Sequence, residues 1–266
     1  MNTNFISYKS ADIFYRVIGK GSPVVLIHGF AEDGEVWKYQ TDFLKDHYQL
    51  IIPDLPGSGK SAYNNQLSIM DDYAEAIKAI IDNEKITNCI LIGHSLGGYI
   101  TLAFEEKYPQ LLKAFGLFHS TAFADTEEKK QTRLKAIDFI NTNGVYNFIK
   151  STTNNLFADP FKKDHLEQIE ALIEQGKNFT PQALTQYYRA MIARPDRKHV
   201  LKNSIKPVLF IIGEKDNIIP LQSSLHQCHL PSQSHINILA NSGHMGMWEE
   251  ADKSNKILAN FLQVVS

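Results

Sequence analysis

Cysteine is scarce in this chain of 266 residues, which contains only Cys89 and Cys228. Cys89 lies in an apolar, strand-like run and Cys228 in a polar, helix-like segment, so the two do not form the disulfide framework of a small secreted protein. We interpret both as free thiols, and a disulfide between them is the less favoured alternative.

Long apolar runs are also missing. No stretch is long enough to cross a bilayer, and residues 1–16 lack the unbroken apolar segment of a signal peptide. We therefore expect a cytoplasmic protein that does not bind membranes.

Charge of one sign is not in excess, because 27 Lys and Arg residues stand against 29 Asp and Glu residues. Nucleic acids and anionic membranes are bound by basic surfaces, so neither is an expected partner. A hydrophobic share of 43% is typical of a soluble enzyme. The expected partner is a small-molecule substrate.

Short apolar runs alternate with helical patterns, which is typical of α/β folds. Residues 5–10 and 12–19 alternate apolar and polar side chains and predict an antiparallel hairpin. Denser runs predict buried parallel strands at residues 23–28, 48–54, 88–94, 112–119, 206–213 and 234–240. The segments between them predict helices at residues 35–47, 69–85, 96–108, 221–230 and 249–264.

Residues 120–204 break this rhythm, since they contain no strand-like run. Helix-like stretches cover 126–151, 163–176 and 181–193. This pattern predicts a helical cap at 120–204, inserted into a core made of 1–119 and 205–266.

A GxSxG motif lies in GHSLGG, residues 93–98, directly after a predicted strand and at the start of a predicted helix. In this strand-turn-helix context the central serine is held in a strained conformation at the top of the sheet, with small flanking residues making room for it. The motif predicts Ser95 as a nucleophile.

A serine nucleophile needs a base, and the base needs an orienting carboxylate. Asp216 and His244 each follow a predicted parallel strand, at the sheet edge where Ser95 is expected. Two other acids compete with Asp216 for this role. One is Glu214, although the alternation of side chains along the strand points it away from the site, and the other is Asp125.

Other histidines compete with His244 for the role of base. His28 and His94 lie inside motif turns and are interpreted as structural, whereas His119 could approach the pocket from the end of its strand. His226 and His229 in HQCH suggest a metal, but they lack further ligands at a recognisable spacing.

An attacked carbonyl becomes an oxyanion, which two backbone N–H groups can stabilise. The residue after the nucleophile, Leu96, supplies one N–H at a helix N-terminus. Phe30 in HGF, residues 28–30, would supply the other after the strand at 23–28.

HGFAEDGEVW, DLPGSGKS, GHSLGG, GEKDNIIP and SGHMGMWE stand in the order seen in the α/β-hydrolase superfamily and span nearly the whole chain. The chain most closely resembles its small, cofactor-free members with a helical cap. The resemblance implies an α/β fold with an eight-stranded, mostly parallel sheet, helices on both faces and a cap after the sixth strand. It implies Ser95 as nucleophile, His244 as base, Asp216 as its partner, and Phe30 and Leu96 as oxyanion donors, with no cofactor or metal.

The resemblance implies a serine hydrolase that cleaves a small or medium, mostly apolar carboxylic ester or lactone through an acyl-enzyme. Relatives resembling haloalkane dehalogenases and epoxide hydrolases carry an aspartate nucleophile where this chain has Ser95, so Ser95 argues against both activities. Lyases, perhydrolases and carbon-carbon bond hydrolases share the apparatus and stay open as alternatives, as does a small-molecule receptor that keeps the triad.

The predicted cap is rich in aromatic residues, most of which we expect to pack the cap and a minority to line an apolar pocket above Ser95. They are Phe123, Phe139, Tyr146, Phe148, Phe157, Phe161, Phe179, Tyr187 and Tyr188. Lys129, Lys130 and Arg133 are expected on a solvated face.

DLPGSGKS, residues 54–61, resembles a phosphate-binding P-loop, but Asp54 stands where that pattern requires glycine. We interpret it as a structural loop. Asp54 and Ser61 are expected to bond its backbone, Gly57 and Gly59 to supply its unusual dihedral angles, and Lys60 to face solvent.

Overall fold

A computed structural model describes residues 2–266 of the chain. At its centre lies an eight-stranded sheet with the strand order β1-β2-β4-β3-β5-β6-β7-β8. The strands are β1 (Asn2–Tyr8), β2 (Ala11–Ile18), β3 (Ser22–Ile27), β4 (Tyr48–Pro53), β5 (Cys89–His94), β6 (Leu112–Phe118), β7 (Pro207–Gly213) and β8 (Gln233–Leu239). The predicted α/β fold with eight strands is confirmed.

The sheet is antiparallel only at one edge, where β1 pairs with β2 and β2 with β4. All other neighbouring strands are parallel, as the sequence predicts. The central strand β5 is buried along its whole length, as a parallel strand between two layers of helices must be. The carboxyl ends of the parallel strands therefore meet at one edge of the sheet.

Helices cover both faces of the sheet. They are α1 (Lys38–Leu44), α2 (Met70–Asn83), α3 (Leu96–Lys107), α4 (Glu127–Asn143), α5 (Val145–Thr152), α6 (Asp159–Asp164), α7 (Leu166–Gln175), α8 (Pro181–Ala193), α9 (Lys198–Asn203), α10 (Leu221–Cys228), α11 (Gly246–Glu249) and α12 (Ala251–Val265). Within residues 2–266, no helix has both the length and the apolar character needed to cross a bilayer.

Strand alternation divides the apolar side chains between two cores. Along β3, Val25 and Ile27 join the core beneath α2 and α3, whereas Val24 and Leu26 join the core beneath α1 and α12. Successive side chains of a strand point to opposite faces, so one strand anchors both layers. The two layers hold the sheet edge, and the loops that leave it, in place.

The segment between β6 and β7 is a helical insertion, defined here as residues 120–204. It contains α4 to α9 and no strand among the positions that the structure describes. The expected single helical stretch at 126–151 is wrong, because α4 ends before Gly144, which has φ of 83°. Glycine adopts this left-handed conformation without steric cost, so the chain turns there and α5 begins. The division into core and cap stays a prediction.

The loop at residues 54–61 is held by its own polar side chains, as predicted. Asp54 Oδ1 accepts from the backbone N–H of Gly34 at 2.9 Å, and Oδ2 accepts from that of Lys60 at 2.9 Å. The Ser61 hydroxyl donates to the Asp54 carbonyl at 2.6 Å. Gly57 and Gly59 have φ of 91° and 52°. These contacts leave the Asp54 carboxylate as a structural acceptor.

The same loop supports the helical insertion. The hydroxyl of Tyr187 on α8 donates to the Pro56 carbonyl at 2.7 Å and lies 3.0 Å from Ser58 Oγ. A Cβ on Gly57 would come within 2.9 Å of Ala183 Cβ, so glycine also permits the close approach of α8. Lys60 is exposed to solvent.

We expect Asp54→Ala to destabilise the fold and Lys60→Ala to leave it nearly unchanged. The first change removes the acceptor of two backbone N–H groups and should lower the free energy of unfolding by about 2 to 4 kcal/mol. Urea denaturation measures both variants, and calorimetry should detect no ATP binding. An equal loss of unfolding free energy in the two variants would contradict the structural role of the loop. ATP binding that Lys60→Ala abolishes would contradict it as well.

Candidate active site

Ser95 lies in the turn between β5 and α3. Its backbone has φ of 50°, in the left-handed region that a serine rarely adopts. Its N–H donates to the Phe118 carbonyl at 2.9 Å, and its own carbonyl accepts from the Ser120 hydroxyl at 2.7 Å. Hydrogen bonds to the end of β6 and the residues after it thus hold the strained turn.

Two glycines permit this turn because the backbone passes too close for a side chain. A Cβ on Gly93 would lie 2.2 Å from the Gly97 carbonyl oxygen, and a Cβ on Gly97 would lie 2.3 Å from the Ile27 carbonyl oxygen. Both contacts are with backbone, which cannot rotate out of the way. The glycines of GxSxG are therefore required by packing.

The structure brings Ser95, His244 and Asp216 into one hydrogen-bonded chain. His244 Nε2 lies 2.9 Å from Ser95 Oγ, and His244 Nδ1 lies 2.8 Å from Asp216 Oδ2. When Nδ1–H donates to Asp216, Nε2 is left as an acceptor for the Ser95 hydroxyl. This geometry is suited to removing a proton from Ser95.

The Asp216 carboxylate is buried, and protein N–H groups provide the hydrogen bonds that water would otherwise supply. Its Oδ1 accepts from the backbone N–H groups of Ile218 and Ile219 at 2.8 and 2.9 Å. Burial alone would raise the pKa of Asp216, but the charge of His244 and the close contacts with His119 and His244 hold that pKa far below its ordinary value. Asp216 is therefore ionised across the pH range in which proteins are folded.

The competing acids lie elsewhere. Glu214 is exposed, as strand alternation predicts. Asp125 is buried in the helical insertion, where it pairs with Arg133 and Arg194 at 2.6 and 3.0 Å. Neither hydrogen-bonds to His244.

The two predicted oxyanion donors belong to separate loops. Leu96 is the first residue of α3, and Phe30 follows β3. Neither backbone N–H has a protein acceptor among residues 2–266. Phe30 lines the cavity together with Ser95, and Leu96 directly follows Ser95 in the chain. Both N–H groups can therefore donate to a bound molecule.

A buried ion pair that the sequence did not reveal connects three loops of the site. Glu32 Oε2 accepts from the Gly29 N–H at 2.7 Å and lies 3.0 Å from His94 Nδ1. His94 Nε2 lies 2.9 Å from the His244 carbonyl oxygen and donates to it. The pair thus links the Phe30 loop, the Ser95 turn and the His244 loop.

Charge favours the ionised state of this pair. Burial would lower the pKa of His94, but the charge and hydrogen bond of Glu32 raise it above its ordinary value. Burial would raise the pKa of Glu32, but His94 lowers it. Each group stabilises the charge of the other, so the protonated ring can donate from both nitrogens. The structural role expected of His94 and His28 fits these contacts, since His28 Nε2 accepts from the Leu55 N–H at 2.9 Å.

His119 lies behind the acid, away from the cavity. Its Nδ1 is 3.0 Å from the Gly213 nitrogen and 3.5 Å from Asp216 Oδ2, and its Nε2 is 3.1 Å from the Gly246 nitrogen. A neutral ring can accept from one of these two backbone N–H groups, whereas a protonated ring, which carries a hydrogen on both nitrogens, could accept from neither. Burial accordingly lowers the pKa of His119 to about 4. The neutral ring joins the loops that carry Asp216 and His244.

A cavity of about 390 Å³ opens above Ser95 and His244. Phe148 and Tyr188 of the helical insertion line it, and the Tyr188 ring centroid lies 4.3 Å from that of Phe30. Most other aromatic residues of the insertion pack away from the cavity, as expected. The volume suits a small or medium organic molecule.

The expectation that Lys129 and Arg133 face solvent is wrong. Both are partly buried and line the cavity, because the face of α4 that carries them lies over the site. Lys130 is also partly buried, but it does not line the cavity and pairs with Glu127. Among the described residues, no three or more His, Cys, Asp or Glu side chains converge as metal ligands, and this includes His226 and His229.

We expect the His119 imidazole to make the stability of the fold depend on pH. Its pKa is about 4 in the folded protein, against an ordinary value of 6.5. Since the unfolded chain takes up the proton first, stabilisation by the neutral ring is present above pH 6.5 and is lost as pH falls towards 4. The free energy of unfolding should fall more steeply in this window for the wild type than for His119→Asn, by up to about 1.4 kcal/mol per pH unit.

Urea titrations at several pH values measure these slopes. His94, His244 and Asp216, which also lie near the ring, are present in both proteins, so the difference between the slopes reports the removal of the His119 imidazole. His226→Asn, a change at an exposed histidine, should keep the slope of the wild type. Identical slopes in the wild type and His119→Asn would show that His119 is not held neutral.

Sequence comparison places the chain among known relatives. A model of the alpha/beta hydrolase family matches residues 24–256. The dihydrolipoyllysine-residue acetyltransferase component of the acetoin cleaving system of Pseudomonas putida is 28% identical over 253 residues, which make up 91% of this chain but 64% of that protein. This chain thus spans less than two thirds of that relative.

A second relative matches along nearly its whole length. The 2-hydroxy-6-oxononadienedioate/2-hydroxy-6-oxononatrienedioate hydrolase of Escherichia coli strain K12 is 26% identical over an aligned length of 272 positions, and the alignment covers 96% of this chain and 92% of that protein.

Structural comparison agrees. A thermophilic esterase from Thermogutta terrifontis superposes with a TM-score of 0.94 and 24% identity, covering 100% of this chain and 99% of that one. At this identity the likeness shows a shared fold. The family match over most of the chain shows that the protein belongs to the alpha/beta hydrolase family.

Proposed function

We propose that the protein is a serine hydrolase that cleaves a small or medium carboxylic ester or lactone. The observation that carries this proposal is the hydrogen-bonded chain from Ser95 through His244 to Asp216, which opens into a cavity beside two unpaired N–H donors. Ser95 is the proposed nucleophile, His244 the base and Asp216 the residue that orients it.

In the first half of the proposed reaction, Ser95 Oγ attacks the ester carbonyl while His244 Nε2 takes its proton. The imidazolium that forms is stabilised by Asp216, which is already ionised. The carbonyl oxygen becomes negatively charged and accepts from the N–H groups of Phe30 and Leu96. Leu96 lies at the N-terminus of α3, where the helix dipole also favours negative charge.

The tetrahedral intermediate then collapses. His244 returns its proton to the leaving alcohol, and the acyl group stays bonded to Ser95 Oγ. In the second half a water molecule gives its proton to His244 and attacks the acyl carbonyl. The acid leaves, and His244 restores the proton to Ser95.

The cavity supports a substrate of limited size with an apolar portion. Its volume of about 390 Å³ lies at the lower end of ligand pockets. Phe30, Phe148 and Tyr188 form a continuous aromatic wall, since the Phe148 and Tyr188 ring centroids are 5.9 Å apart. An acyl chain of a few carbon atoms would pack against this wall.

Carbon-carbon bond hydrolysis is a second candidate. It is supported by the Escherichia coli hydrolase of 2-hydroxy-6-oxononadienedioate, which aligns with 96% of this chain. The same serine, histidine and N–H donors would serve, because an attacked ketone also becomes an oxyanion. Comparing ester turnover with turnover of a vinylogous 1,5-diketone acid separates the two candidates.

We expect a fluorophosphonate to label the wild type and not Ser95→Ala. Ser232→Ala, which changes an exposed serine before β8, is the matched control and should label normally. Asp216→Asn should keep the fold but lower kcat for a p-nitrophenyl ester by at least about 10²-fold, because the amide stabilises the wrong tautomer of His244.

Mass spectrometry of the labelled proteins and steady-state kinetics are the measurements. Labelling that persists in Ser95→Ala would exclude Ser95 as the nucleophile. Full turnover by Asp216→Asn would exclude the proposed role of the acid.

A further inference from the structure

One face of α4 forms part of the cavity wall. Lys129, Thr132, Arg133 and Ala136 all line it, and their spacing of three, four and seven residues from Lys129 places them on one side of a helix. The Thr132 hydroxyl is engaged, since it donates to the Glu128 carbonyl at 3.0 Å. The two long cationic side chains are the remaining polar groups on this face.

Arg133 uses only part of its guanidinium to hold the protein together. Its Nε and Nη2 donate to Asp125 at 2.6 and 3.4 Å, and within residues 2–266 its Nη1 has no protein acceptor. The side chain is only 12% exposed, so the group meets little bulk water. Its charge centre lies 5.6 Å from the Tyr188 ring, which in turn packs on Phe30 beside Ser95.

The carboxylate that faces Arg133 does not neutralise it. Asp125 is shared with Arg194, whose Nη2 donates to it at 3.0 Å, and both ion-pair partners are nearly inaccessible to water. One carboxylate therefore stands between two guanidinium groups. This end of the cavity keeps an excess of positive charge.

Lys129 adds a second cation at the same end. Its Nζ donates to the Ile218 carbonyl at 3.0 Å, which fixes the ammonium group beside the loop that carries Asp216. Within residues 2–266 it has no carboxylate partner at ion-pair distance. An ammonium group has three donors, so two stay available for a ligand.

Within residues 2–266, no acidic side chain opposes these cations across the cavity. Glu32 is the one carboxylate among the lining residues, and it is engaged by His94 and the Gly29 N–H on the far side, next to Ser95. Screening by water is weak in a cavity of this kind, so the charge of Lys129 and Arg133 acts strongly on a bound molecule.

We propose that Lys129 and Arg133 form a carboxylate-binding subsite and that the substrate is an ester bearing a second, ionised carboxyl group. A monoester of a short dicarboxylic acid has this chemistry. Its ester carbonyl would lie at Ser95, its methylene groups would pack on Phe30 and Tyr188, and its carboxylate would meet Lys129 and Arg133. This assignment rests on the proposed hydrolase function and narrows its substrate class.

The test compares two p-nitrophenyl esters of equal chain length, the monoester of glutaric acid and the ester of pentanoic acid. The wild type should favour the glutarate monoester in kcat/KM by at least about tenfold, equivalent to about 1.4 kcal/mol. Lys129→Met should lower the ratio of the two kcat/KM values about tenfold. Lys130→Met, a change at the neighbouring lysine, which does not line the cavity, should leave this ratio unaltered.

Arg133→Gln should lower the ratio as well, but it also removes a partner of Asp125. Lys129→Met disrupts no ion pair among residues 2–266 and is therefore the decisive variant. A wild-type ratio near or below one, or equal ratios in the wild type and Lys129→Met, would overturn the subsite.

Binding separates this inference from the hydrolase proposal. Calorimetry of Ser95→Ala with monomethyl glutarate, methyl pentanoate and inorganic phosphate requires no turnover. Monomethyl glutarate, which carries the ionised carboxyl group, should bind at least about tenfold more tightly than the uncharged methyl pentanoate, and Lys129→Met should remove the difference. That result without any esterase activity would retain the subsite and reject the hydrolase. Tighter binding of phosphate than of monomethyl glutarate would reject the carboxylate assignment.

Discussion

The close approach of α3 to the middle of the sheet is the constraint on which the site depends. Gly93 and Gly97 bring backbone against backbone, and Ser95 between them takes φ of 50°. A non-glycine residue in that region costs on the order of 1–3 kcal/mol, which the hydrogen bonds to the end of β6 and the packing of α3 must offset. The same geometry leaves the Leu96 N–H at the start of the helix without an acceptor and turns the Ser95 hydroxyl towards His244.

The other loops of the site are positioned by buried polar groups. His94, the neighbour of Ser95, faces away from the cavity and holds the Glu32 carboxylate and the His244 carbonyl. His119 acts similarly behind Asp216. Buried polar groups specify a unique geometry only when each has a partner, and these two histidines supply partners for several loops at once. The relative positions of Phe30, Ser95 and His244 therefore do not depend on the helical insertion alone.

Sequence patterns predicted most of the core because each of its strands is marked by a short, continuous stretch of the chain. Apolar runs located the strands, and Ser95, Asp216 and His244 each follow a parallel strand, so topology alone brings them to one sheet edge. Gly144 carried a visible signal for the break between α4 and α5, since glycine weakens a helix interior.

Other features had no local signal. Glu32 is an ordinary loop glutamate until the fold brings His94, 62 positions away in sequence, into contact with it. Lys129 and Arg133 stand in a helix rich in charge, and which side of that helix covers the cavity is decided by how α4 lies on the sheet.

The helical insertion leaves the sheet after β6 and returns to it at β7, and these strands are direct neighbours. No strand pairing therefore depends on the length or content of the residues between them. Helices can be lengthened, shortened or exchanged at this position without any change in the order or pairing of the strands. One chemical apparatus can thus acquire new substrate preferences through modular replacement of a single segment.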